Sequence, residues 1–356
     1  MFDDIRPYMD AEIPAAMQRL AAYPQFRTVC TWLFPDKPFD AVAGAVASCR
    51  TVDEFQHRFM LPVVEAVMDK TTDGVTVEGM EHLDPQERYL FVSNHRDITL
   101  DATFFQVLLD RAGQRTSEIT FGANLMQGDL VVDFGKSNKM FRVERPTTVS
   151  SPREFLRSSQ RLSEYIRWTL LEKRESIWIA QRNGRTKDGM DLTDQGIIKM
   201  FGMAGPIADL HIVPLSVSYE WEPCDVLKAA ELAALARDGH YEKKPGEDLG
   251  SILSGITQPK GRVHYVVGEP LTSEDLAPWK DRPVNAFCRE TAGLIDRRIR
   301  AGYRIWPNNR IAFDFLNETY SGGYSDAEKA AFENHLAAAP EALRPILLRI
   351  YAGPLL

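Results

Sequence analysis

From Val75 onward, short apolar runs alternate with helical stretches, and this alternation limits the fold more than any other feature. The apolar runs are 75–79, 88–93, 117–121, 140–144, 176–181, 212–219 and 262–267. Between them, apolar residues at helical spacing predict helices over 98–112, 151–173 and 191–203. Ser151-Pro152-Arg153-Glu154 is a capped helix start with proline at its first position. Strands that alternate with helices build an α/β sandwich around a mostly parallel or mixed sheet flanked by helices.

Both ends of the chain read differently. Asp10 to Ala22 has helical spacing, and Thr51-Val52-Asp53-Glu54 reads as a capping box before a helix through Met68. After 270 the chain is helical again, most clearly over 282–302. The expected organisation is a helical N-terminal subdomain (1–72), an α/β domain (73–270) and a helical C-terminal extension packed on it (271–356). The turn Thr71-Thr72-Asp73-Gly74 separates the first two, and the polar stretch Gly239 to Asp248 reads as a mobile loop.

Composition excludes several classes. With 44% apolar and 26% charged residues, the chain has the balance of a soluble globular protein. No apolar run approaches the ~20 residues that span a bilayer. Met1 to Arg6 lacks the apolar stretch of a signal peptide, so a cytoplasmic protein is expected. The cysteines at 30, 49, 224 and 288 show no Cys-x-x-Cys spacing, which predicts reduced thiols and no zinc. Charge is uneven. Lys136 to Lys187 holds 13 Lys and Arg against 5 Asp and Glu, a balance of +8, which leaves −16 for the rest of a −8 chain. A basic segment in an acidic protein points to an anionic ligand or lipid surface, or else to a solvated helix face. No nucleic-acid partner is expected.

The run Ser93-Asn94-His95-Arg96-Asp97-Ile98-Thr99-Leu100-Asp101 follows an apolar strand and precedes a helical pattern. Loops at the carboxyl ends of strands in α/β sheets are where sites form. His95 there can act as a general base, with a carboxylate that fixes its tautomer and steadies the imidazolium. Asp101 lies about one and a half helical turns on; Asp97 is also near and well placed to cap the helix.

Two further strand ends carry cations. In Phe141-Arg142-Val143-Glu144-Arg145-Pro146, alternation puts Arg145 at a strand end level with His95. A guanidinium fork there suits a phosphate or carboxylate, with Arg142 as a second candidate. A surface ion pair with Glu144 or a nearby acid is the competing assignment. In Ala180-Gln181-Arg182-Asn183-Gly184-Arg185-Thr186-Lys187, an apolar strand runs into a turn with three cations. Gly184 permits close backbone approach, so the amides with Arg182 and Arg185 suit an anion nest, a β-turn with solvated charges being the competing assignment. Val213-Pro214 opens the next buried strand and shapes the wall.

Four such blocks in this order resemble the glycerol-phosphate/phospholipid acyltransferase family over about 75–270. Asn94-His95 to Asp101 matches its first block, in the His-x5-Asp form of a bacterial branch. Phe141 to Arg145 matches the second, Ala180 to Arg185 the third, and Val213-Pro214 the fourth. Asn183 stands where the family commonly has Glu, so an amide replaces a charge.

The resemblance implies a glycerol-3-phosphate acyltransferase-like fold and acyl transfer from an acyl carrier protein or coenzyme A thioester, with no cofactor. The acceptor would be a hydroxyl on a glycerophosphate-like or other polar lipid, and the acyl chain would need an apolar groove, assigned to the helix at 98–109. It implies His95 and Asp101 as the catalytic pair, and Asn94, Arg142, Arg145, Arg182, Asn183, Gly184 and Arg185 as substrate-binding residues. Family members usually bind membranes; with no spanning run here, peripheral attachment to an anionic inner membrane face is expected. N-acylation of an amino acid or amine to an aminolipid uses nearly the same chemistry. A silent lipid- or phosphate-binding module is an alternative of another class. Thioester hydrolysis is disfavoured because no Gly-x-Ser-x-Gly elbow occurs, and metal hydrolysis because no second His has ligand spacing.

Overall fold

The computed structural model describes residues 1–244 and 246–356; Pro245, within the stretch expected to be mobile, lies outside the described residues. One seven-stranded sheet runs through the molecule. Its strands are β1 (Val75–Glu78), β2 (Leu90–Ser93), β3 (Glu118–Gly122), β4 (Met140–Val143), β5 (Ile177–Ala180), β6 (Ile212–Tyr219) and β7 (Val263–Val267). They are ordered β1-β7-β6-β2-β5-β3-β4. Only β6 and β7 pair antiparallel, so the sheet is mixed, and each apolar run is a strand.

The helices before the sheet are α1 (Ile13–Ala22), α2 (Pro24–Leu33), α3 (Phe39–Ala47), α4 (Val52–Phe55) and α5 (Leu61–Thr71). Between strands lie α6 (Leu100–Arg111), α7 (Asp129–Ser137), α8 (Pro152–Trp168), α9 (Gln195–Phe201), α10 (Asp225–Asp238) and α11 (Glu247–Thr257). The chain ends with α12 (Ser273–Leu276), α13 (Val284–Gly302), α14 (Pro307–Asn317), α15 (Asp326–Ala338) and α16 (Arg344–Ala352). Residues 56–60 form a π turn that joins α4 to α5, where Pro62 has no N–H to continue the α pattern. Thr51 and Ser151 each accept a bond from the amide three residues on. Their glutamates reach the amides of Arg50 and Ser150 instead, so neither motif closes as a full box.

Period-two alternation sorts the strand side chains between two layers. Phe91, Trp178, Val213, Leu215 and Val217 face a cluster built with α5 and α6. Leu90, Val92, Ile177 and Ile179 face one built with α8, α9 and α13. The helices α1 to α4 have a separate core around Met17, Phe26, Phe55 and Phe59. The first residues do not join it: Phe2 and Ile5 pack on the α8 side of the sheet. β2, flanked by β5 and β6, is buried along its whole length.

α6 determines how firmly the loop after β2 is held. Phe104, Phe105, Val107, Leu108 and Leu109 are all buried against the sheet. Each such side chain contributes roughly 1.5–3 kcal/mol. The helix starts at Leu100, two residues later than its spacing predicts, because Asp97 Oδ1 accepts the amides of Thr99 and Leu100 and holds the chain in a turn before it. No helix among the described residues is long and apolar enough to cross a membrane.

Candidate active site

The carboxyl ends of β2, β3, β4 and β5 open into one pocket of about 330 Å³, lined by His95, Arg145, Arg182, Asn183, Gly184 and Arg185 among others. His95 is only 8% exposed. Its Nδ1 lies 2.9 Å from Asp101 Oδ2. That bond commits Nδ1, and Nε2 has no hydrogen-bond partner among the described residues. The Trp178 ring meets the imidazole edge-on at 5.8 Å between centroids, which limits ring rotation.

Asp101 is fully buried and saturated with donors. Oδ2 also accepts the amides of Arg96 at 2.6 Å and Asp97 at 2.9 Å, while Oδ1 accepts the Tyr219 hydroxyl at 2.7 Å. Burial, and then the Asp101 charge, push the Tyr219 phenol well above its ordinary value, so it stays a donor. This shell fixes which oxygen faces His95. Asp97 is also buried but turns away, engaged at the start of α6; its Oδ2 packs against Gly255, where a Cβ would sit 2.2 Å away.

Arg145 reaches the pocket from the end of β4 across Gly122, where an added Cβ would lie 2.9 Å from the guanidinium. No carboxylate among the described residues pairs with it. Asp248, which also lines the pocket, pairs with Lys243 at 2.5 Å instead. Burial pushes the Arg145 guanidinium below its ordinary value, with Asp248 opposing. Arg182 also lacks a carboxylate partner among the described residues. Arg185 is 8% exposed; its Nη2 donates to Ser251 Oγ at 3.0 Å, and its Nη1 is buried with no partner. Gly184 has φ +75°, and the amides of Asn183, Gly184 and Arg185 have no protein acceptor among the described residues.

Two expected residues are not in this group. Arg142 is exposed on the outer side of β4 and bonds Glu144 at 2.7 Å, so the competing ion-pair assignment holds for it. Asn94 is fully buried and spends its amide on structure. It bonds both backbone groups of Val217 and the Asp191 carboxylate. The apolar wall also differs from an assignment to the helix at 98–109. α6 is buried in the core, and the wall is made by Phe155 and Leu162 of α8, Ile197 and Met200 of α9, and Phe121, Val143 and Ile179 of the strands.

Sequence reasoning missed the frame behind the pocket. Arg96 is 1% exposed and bonds Asp191 Oδ2 at 2.6 Å and Glu222 at 3.2 Å. Lys228 Nζ closes the network on Glu222 and on the Arg96 carbonyl, each at 2.6 Å. Burial opposes the Arg96 charge, yet Asp191 and Glu222 outweigh it and hold the guanidinium well above its ordinary value. Thr186 joins by a hydroxyl bond to Asp191 and an amide bond to the His95 carbonyl. The loops after β2 and β5 are therefore clamped together. Tyr219 has a recognisable signal, a polar-tipped residue ending a mainly apolar strand; Asp191 has none.

A free Nε2 on an oriented imidazole can accept a proton from a nucleophile held in the pocket. Apolar walls and unpaired guanidinium groups beside it suit a ligand with an alkyl chain and an anionic head. A sequence-family model described as Acyltransferase matches residues 74–218. Those residues form an acyltransferase-family domain. The acyltransferase match spans the pocket blocks from β1 to the buried end of β6. The crystal structure of the 1-acyl-sn-glycerophosphate (LPA) acyltransferase, PlsC, from Thermotoga maritima is similar at 13% identity, covering 82% of this chain and 96% of that chain, with a TM-score of 0.42. No curated protein matches the chain. The family match makes acyl transfer the chemistry of residues 74–218.

Proposed function

We propose that this acyltransferase moves a fatty acyl group from an acyl carrier protein or coenzyme A thioester to a hydroxyl of a glycerophosphate-like polar lipid. The observation that carries the reading is the His95–Asp101 pair, which opens on a pocket apolar on one side and edged by the unpaired Arg145 and Arg182. His95 Nε2 takes the hydroxyl proton, and Asp101 holds the imidazolium. The oxygen attacks the thioester carbonyl directly. The tetrahedral intermediate expels the thiolate as the C–S bond breaks, and the imidazolium returns its proton to sulfur. Amides of the Asn183–Arg185 turn supply donors for the oxyanion. Arg145, with Arg182, holds the acceptor's anionic group, and the wall from α8 and α9 takes the alkyl chain.

Attachment to the membrane is peripheral in this reading. Most cations of the +8 segment are spent on ion pairs, including Lys139 with Glu175, Lys173 with Glu118 and Arg167 with Asp209. Arg153 and Arg157 lack such partners among the described residues. They flank the exposed Leu156 on the first turns of α8, beside pocket-lining Phe155 and Ser158. Basic side chains near an anionic surface contribute about 1 kcal/mol each. The test is a panel of coenzyme A and acyl carrier protein thioesters against lysolipid, glycerol phosphate and amino acid acceptors. Ester formation on a phosphate-bearing acceptor is expected. Transfer only to amino groups would replace it with amide synthesis, and no transfer to any acceptor would refute it.

A further inference from the structure

A second cavity, of about 860 Å³, lies between α10 and α11 and shares Arg185 with the catalytic pocket. Its carboxylates are already engaged. Asp225 takes the Tyr351 hydroxyl and His335, Glu231 pairs with Lys187, and Glu247 takes the Tyr241 hydroxyl. Two cationic donors are left over among the described residues. Arg185 Nη1, buried at the junction of the two cavities, has no partner. The Lys244 ammonium has none among the described residues, and it is exposed and lines the second cavity alone. The remaining wall combines hydroxyls from α11, such as Ser254, with apolar patches from α10, such as Val226.

We infer that this second cavity receives the phosphopantetheine arm of the acyl donor, an inference that rests on the acyl-transfer reading above. The acceptor's head and the donor's acyl chain both occupy the first pocket, so the polar arm must leave the reactive centre by another route. An arm with two amides, branched methyls and a terminal phosphate matches the lining in order. Arg185 Nη1 donates to an amide carbonyl at the junction, where a neutral acceptor satisfies a buried donor. The α10 wall takes the methyls, and Lys244 meets the phosphate at the exposed end. Coenzyme A and acyl carrier protein present the same arm, so the cavity fits either.

The test uses the full chain with three thioesters of one acyl chain, carried on coenzyme A, on acyl carrier protein, and on pantetheine without phosphate. Ala230 is exposed on α10 and lines the cavity, so Ala230→Trp fills it without entering the core. That variant is expected to raise the KM of all three donors about tenfold, equivalent to ~1.4 kcal/mol, and to leave the acceptor KM unchanged. Lys244→Glu is expected to raise the KM of the two phosphate-bearing donors and spare pantetheine. The carrier with the lower wild-type KM identifies the source. A folded Ala230→Trp enzyme with wild-type donor KM overturns the inference, as does a rise in acceptor KM alone. If wild type turns over no donor, the acyl-transfer reading falls, and calorimetry with free coenzyme A and holo-acyl carrier protein still decides. Binding to wild type that Ala230→Trp loses would retain the arm site; equal binding by both, or none by either, would overturn it.

Discussion

Arg96 and Arg145 carry the same group on loops at the carboxyl ends of their strands, yet their surroundings are opposite. Arg96 is sealed behind the pocket, its charge matched by Asp191 and Glu222. Arg145 is half-buried at the pocket rim, and no carboxylate among the described residues matches it. A buried charge is tolerated when paired and hydrogen-bonded. One left partly desolvated and unpaired is costly until an anion arrives. The difference separates frame from working face. Saturated charges hold the loops in place, and unsaturated ones mark where a ligand goes.

The sharpest probe of that division is Asp101, where the two regions meet. Its carboxylate accepts from the Arg96 and Asp97 amides of the frame and from His95 of the working face. Asp101→Asn keeps the volume but not the tautomer control. Turnover should fall by about three to four orders of magnitude, with KM for either substrate little changed. A loss under tenfold in steady-state assays would detach Asp101 from the chemistry.

Next comes the frame itself. Asp191→Ala leaves the buried Arg96 guanidinium with Glu222 alone, which Lys228 shares, and urea unfolding should show a loss of about 3–5 kcal/mol. A variant within 1 kcal/mol of wild type, on the order of a surface substitution, would mean that water compensates Arg96 and that the frame is not the clamp inferred here.

On the working face, Arg145→Lys retains the charge without the fork. The acceptor KM should rise about tenfold while the thioester KM stays put. If the thioester KM rises instead, Arg145 serves the donor. The smallest effect is expected at Asp97, which stabilises only the start of α6. Asp97→Asn should cost about 1 kcal/mol or less in thermal or urea melts and spare turnover. A large drop in rate with unchanged stability would move Asp97 into the working face.

The fold is legible in the sequence because each strand is a short apolar run with turn residues beside it, and because Ser151-Pro152 marks a helix start by local chemistry. His95 and Asp101 are legible because one nine-residue run contains both. Arg145 is legible because alternation places it at a strand end. The same alternation puts Arg142 on the opposite face from Arg145, where it is exposed and bonds Glu144. The frame is not legible. Arg96 finds Asp191 and Glu222 at separations of 95 and 126 residues, and no local pattern reports such a pairing. The apolar wall is misplaced for a related reason. α6 and α8 both carry apolar residues at helical spacing, and only tertiary packing shows that α6 is covered on the side that α8 leaves open.

The central claim is that His95 removes the acceptor's proton and contributes little to holding the fold. Acyl transfer by purified His95→Ala, measured beside its urea unfolding curve, tests it most directly. The account predicts turnover reduced to background in a protein whose stability stays within about 1 kcal/mol of wild type. A well-folded variant that keeps a tenth or more of wild-type turnover would contradict it.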